Sequence, residues 1–176
     1  MSEIISEEEV FKGPRFNVVR KHIITSEGNK EVRDIVNPGD ASVILPINEN
    51  NEVVFVCQLR ESVGKICIEL PAGMVDPGED PKDTAKRELE EETGIIANNI
   101  EYLTTMYPST GYTSEKVHIY LATDFEEGHV HLDEGEEIVE IKKIPFEKCL
   151  EKAINGELTN ASQIIAILLY AQKYLK

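Results

Sequence analysis

The segment from residue 73 to residue 95 constrains the fold more than any other part of this 176-residue chain. It reads GMVDPGEDPKDTAKRELEEETGI and contains eight acidic and three basic residues. Asp80 suits a helix N-cap, Pro81 suits the first turn because no N–H is needed there, and Gly94 suits the left-handed residue that ends a helix. The pattern therefore predicts a helix over residues 81–93 with a loop on each side.

Three carboxylates crowd one side of this predicted helix. Glu88 and Glu92 are four residues apart and Glu91 lies between them, so the three side chains project from neighbouring positions. Like charges at this spacing destabilise an isolated helix by roughly 0.2–0.5 kcal/mol per pair. A solvated acidic surface would tolerate them, whereas Mg²⁺ would neutralise them, because this ion binds carboxylate oxygens and retains positions for phosphate. Charge alone leaves both interpretations open.

The spacing of the whole segment favours the metal. Gly73 is followed after five residues by Glu79 and after seven more by Arg87-Glu88-Leu89, and then, after single residues, by Glu91-Glu92 and Gly94-Ile95. This pattern resembles the signature box of the Nudix hydrolases at every fixed position. The resemblance implies a loop–helix–loop on an α/β/α sandwich, and cleavage of a nucleoside diphosphate linked to another group with Mg²⁺ or Mn²⁺.

The same resemblance implies roles for the residues of the box. Glu88 and Glu92 are expected to be the principal metal ligands, and Glu91 a further ligand or catalytic residue, for two or three ions. Arg87 is expected to orient the carboxylates during catalysis, through Glu79 or Glu91. The structural members of the box are Gly73, Glu79 and Gly94.

Strand-like runs surround the predicted helix. Strands are predicted at 15–25, 30–36, 41–47, 52–60, 65–70, 99–107, 115–123 and 136–144, and further helices at 146–155 and 160–175. The three runs between 41 and 70 are expected to be adjacent strands of one sheet. The sequence thus predicts an α+β fold, a Nudix-like α/β/α sandwich with a mixed sheet. Residues 1–38 would form a β-rich extension and residues 39–176 the Nudix domain.

Composition limits the partners of such a domain. The chain has 33 acidic and 18 basic residues and a formal charge of −15, which disfavours nucleic acid and anionic membranes, since both are bound through Lys and Arg. The longest apolar run, residues 164–171, is far shorter than the roughly 20 residues that span a bilayer. Cys57, Cys67 and Cys149 are odd in number and widely spaced, which predicts buried free thiols. We therefore expect a cytoplasmic protein acting on a small molecule.

Segments outside the box resemble ADP-ribose and ADP-sugar pyrophosphatases. Before the box, VFVCQLRESVGKICIELPAG contains a Gln-x-Arg element, in which the resemblance implies that Arg60 contacts substrate; otherwise this arginine would end a strand in solvent. The backbone carbonyl of Ala72 is implied to ligate a metal and Glu69 to support the site. After the box, Ser114 and Glu115 match residues that hold the terminal ribose or their own loop.

One marker of that subfamily is missing. Thr110 stands where the subfamily has a proline beyond the box, and Pro108 lies two residues earlier. The leading hypothesis is hydrolysis of ADP-ribose, a sugar nucleotide, to AMP and ribose 5-phosphate. The missing proline leaves room for another nucleoside diphosphate sugar, such as a GDP-sugar. A non-catalytic ligand sensor is a third hypothesis, which the complete set of box glutamates argues against.

A general base is expected outside the box. Residues 133–137 form an acidic cluster before a strand-like run, in a place similar to that of the loop glutamate in ADP-ribose pyrophosphatases. Glu136 and Glu137 are both candidates for the base, with Glu136 preferred. An ordinary acidic loop is the alternative.

The N-terminal extension is implied by the resemblance to exchange between the subunits of a homodimer and to help bind the base. Arg33 is expected to stack its guanidinium on adenine, with Phe16 as the aromatic counterpart, although a strand arginine can equally be solvated and a strand aromatic buried. His129 and His131 would share one face of a strand. They lack a third ligand at suitable spacing, so no transition-metal site is predicted.

Overall fold

The computed structural model describes residues 2–132 and 137–175, which divide into two compact units. The first unit contains residues up to 40 together with 107–116, and the second contains the remainder. The strands are β1 (Glu3–Lys12), β2 (Asn17–Ile24), β3 (Lys30–Asn37), β4 (Ala41–Pro46), β5 (Glu52–Arg60), β6 (Lys65–Glu69), β7 (Ala72–Met74), β8 (Ile95–Met106), β9 (Val117–Glu127) and β10 (Ile138–Pro145). The helices are α1 (Pro81–Thr93), α2 (Phe146–Ile154) and α3 (Ala161–Tyr174).

The first unit is an antiparallel sheet in the order β1-β2-β3. Residues 107–116 join it at β3, where the Val36 N–H donates to the Tyr112 carbonyl at 2.8 Å and the Ser114 N–H donates to the Val36 carbonyl at 3.1 Å. The predicted hairpin corresponds to β2 and β3. The sequence prediction missed β1, because EIISEEEVFK is rich in glutamate, which is depleted in strands, and every one of its side chains is exposed.

The second unit contains a four-stranded mixed sheet in the order β7-β4-β9-β8, in which β4 and β9 are parallel. Strand β4, one of its two central strands, is buried on both faces, as the continuous apolar run in its sequence predicts. Val43 and Leu45 belong to a core with α2 and α3, whereas Ile44 packs in a second core with Ala85 and Leu89 of α1. Helices therefore cover both faces of this sheet.

The expected adjacency of the three strands between residues 41 and 70 is confirmed for β5 and β6 and wrong for β4. β5 pairs with β6 and β10 in a separate three-stranded sheet, while the neighbours of β4 are β7 and β9. A single antiparallel bridge, Ile47 to Val53, joins the ends of β4 and β5. The error has a physical cause: an apolar run shows that a strand is buried but carries no information about its partner.

Helix α1 has the predicted bounds and the predicted ends. The Lys82 N–H donates to the Asp80 side chain at 2.8 Å, and Pro81 occupies the first turn. Gly94 has φ 68° and its N–H donates to the Glu90 carbonyl at 2.7 Å, which closes the helix in the left-handed conformation. Local signals thus fix the position of the acidic helix.

The prediction of three buried thiols is wrong for one of them. Cys57 and Cys149 are buried, and burial raises the pKa of both thiols, that of Cys149 to about 11. Cys67 is only half-buried, because β6 is the edge strand of its sheet. All three are free thiols. Among the described residues, none of the helices has the length and apolar character needed to cross a bilayer.

Candidate active site

The loop–helix–loop from β7 through α1 is held by a close approach between Gly73 and Glu88. A Cβ atom on Gly73 would lie 1.8 Å from Glu88 Oε1, so the carboxylate occupies the space that any other residue would need. Glu88 is itself buried, with 7% of its surface exposed. Glycine at position 73 is therefore required by the placement of this carboxylate.

Arg87 connects three carboxylates. Its Nη1 donates to Glu88 Oε1 at 2.8 Å and to Glu91 Oε2 at 2.9 Å, while its Nε and Nη2 each donate to Glu79 at 3.1 Å. The hydrogen bonds to Glu79 raise the pKa of Arg87, and Glu88 and Glu91 add to this effect against the opposing effect of burial. The structure thus contains both contacts expected of Arg87, with Glu79 and with Glu91, and adds a third with Glu88.

Glu79 is fixed from several directions. Besides Arg87, its Oε2 accepts from the Thr84 hydroxyl at 2.7 Å and from the Asp76 N–H at 3.2 Å. The hydrogen bonds from Arg87 and then Thr84 lower the pKa of Glu79 from 4.5 to about 2. Glu79 therefore remains ionised throughout the physiological pH range.

This lowered pKa predicts acid sensitivity. Because the folded-state pKa of Glu79, about 2, lies below its ordinary value of 4.5, the ionised carboxylate stabilises the fold fully above pH 4.5, and this contribution is lost as the pH falls through 2. We expect the free energy of unfolding to fall between pH 4.5 and 3, and to fall less steeply in Glu79→Gln. Urea unfolding followed by circular dichroism at pH 5, 4 and 3 measures both slopes; equal slopes would contradict the prediction.

Glu92 lies against the strand that precedes the helix. It is 2% exposed, and its Oε2 accepts from the Ala72 N–H at 3.1 Å. The residue thus connects the last turn of α1 to β7. The N–H of Ala72 therefore bonds Glu92, while the carbonyl of the same residue is the group that the resemblance implies to bind metal.

The donors in this region suit a hard divalent cation. Within residues 2–132 and 137–175, no three His, Cys, Asp or Glu side chains form a cluster that could hold a metal ion. Arg87 bridges Glu88 and Glu91 instead. The single positive charge of Arg87 faces the three negative charges of its glutamate partners, so this cluster keeps a net negative charge. Carboxylate and carbonyl oxygens are the donors that Mg²⁺ prefers. On donor chemistry, the residues Ala72, Glu88, Glu91 and Glu92 therefore fit Mg²⁺.

Arg60 and Glu69 form an ion pair across β5 and β6. Arg60 Nε and Nη2 donate to the same Glu69 oxygen at 2.9 and 2.6 Å. Burial lowers the pKa of Arg60, but the hydrogen bond and charge of Glu69, together with the charge of Glu92, raise it overall. The charge of Glu92, a residue of the box, therefore acts on Arg60. Glu69, the partner of Arg60, is the residue expected to support the site.

The sequence prediction missed two buried hydroxyls near the start of α1, of which only Thr84 contacts a carboxylate of the box. The Ser42 hydroxyl donates to the Pro81 carbonyl at 2.7 Å, and Thr84 donates to Glu79; both residues are fully buried. Ser42 is the register partner of Gly73 on one side and of His118 on the other, so these residues form one row across the sheet. Thr84 could have been found, because it lies one helical turn before Glu88. Ser42 gave no comparable signal, because it lies within an apolar run of the sequence.

Four of the predicted substrate-binding residues belong to the first unit. Arg33 donates to Glu31 and to the Val32 carbonyl, and the Phe16 ring lies 5.5 Å from that of Phe11. The Ser114 hydroxyl donates to the Asn37 side chain, at the end of β3, at 2.8 Å. Burial, followed by the charge of Asp40, raises the pKa of Glu115. Their roles toward a substrate remain predictions.

The remaining candidates lie after β9. Glu136 falls outside the described residues, and Glu137 is exposed immediately before β10. The expectation that His129 and His131 share a strand face is wrong, because both lie outside the strands; their rings are 6.2 Å apart in an edge-to-face arrangement. The chain leaves β9 here and the His131 N–H donates to the Glu91 carbonyl at 2.9 Å.

A glutamate-rich loop–helix–loop, held by one arginine on a sheet with helices on both faces, is the arrangement that the sequence pattern predicts for a Nudix domain. Comparison with known proteins gives the family. A NUDIX domain model matches residues 37–163. The chain therefore belongs to the Nudix hydrolase family.

Individual relatives match most of the chain. An ADP-ribose pyrophosphatase of Bacillus subtilis (strain 168) is 32% identical, over 93% of this chain and 89% of that protein. An ADP-ribose pyrophosphatase of Mycobacterium tuberculosis is 31% identical, over 94% and 81%. A methanol dehydrogenase activator of Bacillus methanolicus is 31% identical, over 98% and 94%.

A solved structure supports the fold. The crystal structure of an ADP compounds hydrolase superposes with a TM-score of 0.87 and 24% identity, and the match covers 97% of this chain and 92% of that one. The predicted fold class, a Nudix-like α/β/α sandwich with a mixed sheet and a β-rich N-terminal region, is confirmed.

Proposed function

We propose that the protein hydrolyses the pyrophosphate bond of ADP-ribose or a related nucleoside diphosphate sugar with Mg²⁺. The observation that carries the proposal is the assembly around Arg87, in which Glu79, Glu88 and Glu91 share one guanidinium while Glu92 is buried against Ala72. Two relatives above 30% identity are named ADP-ribose pyrophosphatases, which supports the choice of substrate. The relatively short, acidic chain with free thiols suits a cytoplasmic enzyme.

The reaction consumes one water and breaks one P–O bond. The water oxygen joins one phosphorus, the bridging oxygen leaves with the other, and ADP-ribose becomes AMP and ribose 5-phosphate with release of the protons of water. Bound Mg²⁺ would neutralise phosphate oxygens and lower the pKa of a water. Glu88, Glu92 and Glu91 with the Ala72 carbonyl would hold two or three ions.

The other residues of the chain have separate tasks in this proposal. Arg87 orients Glu88 and Glu91, because it donates to one oxygen of each. Arg60, oriented by Glu69, supplies a positive charge for the substrate phosphates. Glu136 or Glu137 accepts the proton of the attacking water.

A substrate panel tests the proposal. The purified chain is incubated with ADP-ribose, ADP-glucose, GDP-mannose and UDP-glucose, with Mg²⁺ or with EDTA, and nucleoside monophosphates are measured by chromatography. We expect ADP-ribose to have the highest kcat/KM, AMP and ribose 5-phosphate to form in equal amounts, and EDTA to abolish the reaction. ADP-ribose ranking among the poorest substrates would overturn the assignment.

The same panel separates the choices of sugar nucleotide, and an assay of methanol dehydrogenase activity with and without the chain tests activation. Preference for GDP-mannose would favour a GDP-sugar pyrophosphatase, which the loss of the subfamily proline at Thr110 allows. The relative named a methanol dehydrogenase activator aligns with 98% of this chain, which favours dehydrogenase activation as a second candidate. Binding of every sugar nucleotide without cleavage of any would indicate a ligand sensor.

We also propose that the chain forms a homodimer through its N-terminal extension, residues 1–38. Strand β1 presents exposed apolar side chains, among them Ile4, Ile5 and Phe11, each at least half exposed. Such side chains on an edge strand favour a protein partner. Light scattering coupled to size exclusion is expected to give twice the chain mass of 19.8 kDa. A mass of one chain at micromolar concentration would contradict the dimer.

A further inference from the structure

Thr84 occupies a variable position of the box yet is fully buried beside one of its fixed residues. Its Oγ1 lies 2.7 Å from Glu79 Oε2 and 3.4 Å from the Asp80 carbonyl. Alanine or valine would pack equally well in an apolar environment and would avoid burying a hydroxyl. The hydroxyl therefore needs an explanation beyond packing.

The direction of the hydrogen bond is settled by charge. Glu79 is ionised at neutral pH, because two nitrogens of the Arg87 guanidinium donate to its two carboxylate oxygens. An ionised carboxylate only accepts hydrogen bonds, so the Thr84 hydroxyl is the donor. Bonds of this charge-assisted kind are about twice as strong as neutral ones, and they fix the rotamer of the acceptor.

Five hydrogen bonds connect Thr84 to the expected metal ligands. Thr84 fixes Glu79, Glu79 accepts both Nε and Nη2 of Arg87, and Nη1 of the same planar guanidinium holds Glu88 and Glu91. A guanidinium is rigid, so rotation of its Glu79-facing edge also displaces the opposite edge. The position of Glu79 therefore determines where the two ligand carboxylates lie.

We infer that Thr84 is a positioning residue for metal binding, acting through Glu79 and Arg87 on Glu88 and Glu91. This inference rests on the proposed function, in which those two glutamates hold Mg²⁺. Loss of the hydroxyl frees one side of Glu79, whose remaining partners are Arg87 and the Asp76 N–H. The carboxylates then spend less time in the geometry that binds the ion.

The test compares Thr84→Val with Thr84→Ser and with Ser42→Ala. Valine keeps the shape and removes the hydroxyl, and serine keeps the hydroxyl. Ser42→Ala is the matched control, because it also deletes a fully buried hydroxyl near the start of α1, but one that donates to a backbone carbonyl and not to Glu79. Binding of Mn²⁺ alone is measured by electron paramagnetic resonance, without substrate.

We expect Thr84→Val to weaken Mn²⁺ binding about tenfold, as is usual for residues that orient metal ligands, and Thr84→Ser and Ser42→Ala to change it less than about twofold. The Mg²⁺ concentration that gives half-maximal ADP-ribose hydrolysis should rise by the same factor in Thr84→Val, with kcat at saturating Mg²⁺ changed much less. Unaltered Mn²⁺ binding in Thr84→Val, or equal weakening in Ser42→Ala, would overturn the inference.

Two further outcomes are decisive. If Thr84→Val does not fold by circular dichroism, Thr84→Ala replaces it, since alanine favours helix and adds no bulk, and the same tenfold change is expected. If the unaltered chain binds Mn²⁺ but cleaves no sugar nucleotide, the proposed function fails while the Mn²⁺ comparison still decides the role of Thr84. An unaltered chain that binds no Mn²⁺ would refute both.

Discussion

Glu92→Gln is expected to lower kcat for ADP-ribose by about 10²–10³-fold, the size of effect seen when one charged or polar partner of a transition state is removed. Glu92 is 2% exposed and is an expected metal ligand. Glutamine has the same shape and still offers an oxygen to the Ala72 N–H, so the bond between α1 and β7 can form. Removing the charge is therefore expected to impair metal binding while the fold remains intact.

The matched control is Glu90→Gln. Glu90 lies two residues earlier on the same helix, is outside the fixed positions of the box, and closes the helix through its backbone carbonyl, which the substitution leaves unchanged. We expect its kcat to remain within about twofold of the unaltered chain. Circular dichroism and melting temperature check the fold of both variants. Full activity in Glu92→Gln would refute the assignment of the metal site.

Gly73→Ala is expected to cause the second large effect. The added Cβ would lie 1.8 Å from Glu88 Oε1 and 2.1 Å from its carboxyl carbon, so Glu88 or β7 must move. Overpacking of this kind typically costs about 1–3 kcal/mol of folding free energy. Since displacement of a reacting group by about 1 Å can cost 10²-fold in rate, we expect at least that loss in kcat/KM.

Gly111→Ala controls for the general effect of replacing a glycine. The nearest atom to a Cβ at Gly111 is the Ser109 hydroxyl oxygen at 4.0 Å, which is ordinary van der Waals contact. Urea unfolding of both variants should therefore show a loss in Gly73→Ala and little change in Gly111→Ala. Equal stability and activity of Gly73→Ala and the unaltered chain would mean that the Glu88 carboxylate does not pack against Gly73 in solution.

Sequence predicted the acidic helix accurately because every signal for it is local. Asp80, Pro81 and Gly94 specify where α1 begins and ends, and the contacts of Arg87 with Glu79 and Glu91 span only eight and four residues. Helical geometry brings Arg87 and Glu91 together, and Glu79 lies in the short loop immediately before the helix. The core of the candidate site can therefore be outlined from the sequence alone.

Contacts between distant segments could not be predicted in the same way. The approach of Gly73 to Glu88 and the bond from Ser42 to the Pro81 carbonyl depend on how β7 and β4 pack against α1. Strand partners posed the same difficulty, since the apolar run of β4 gave no sign that its neighbours would be β7 and β9. Such pairings are chosen by the packing of the whole domain, which single-strand patterns do not encode.

The parallel pairing of β4 with β9 has a consequence during synthesis on the ribosome. Ala41 pairs with Val117, so β4 emerges about 75 residues before its partner. At roughly 5–20 residues per second, this interval lasts about 4–15 s. During that time the apolar strand lacks one neighbour, and the core around Ala85 and Leu89 of α1 lacks Tyr120 and Ala122 of β9. The apolar core beneath the acidic helix is therefore completed only after β9 has been translated, although the residues of the helix itself left the ribosome several seconds earlier.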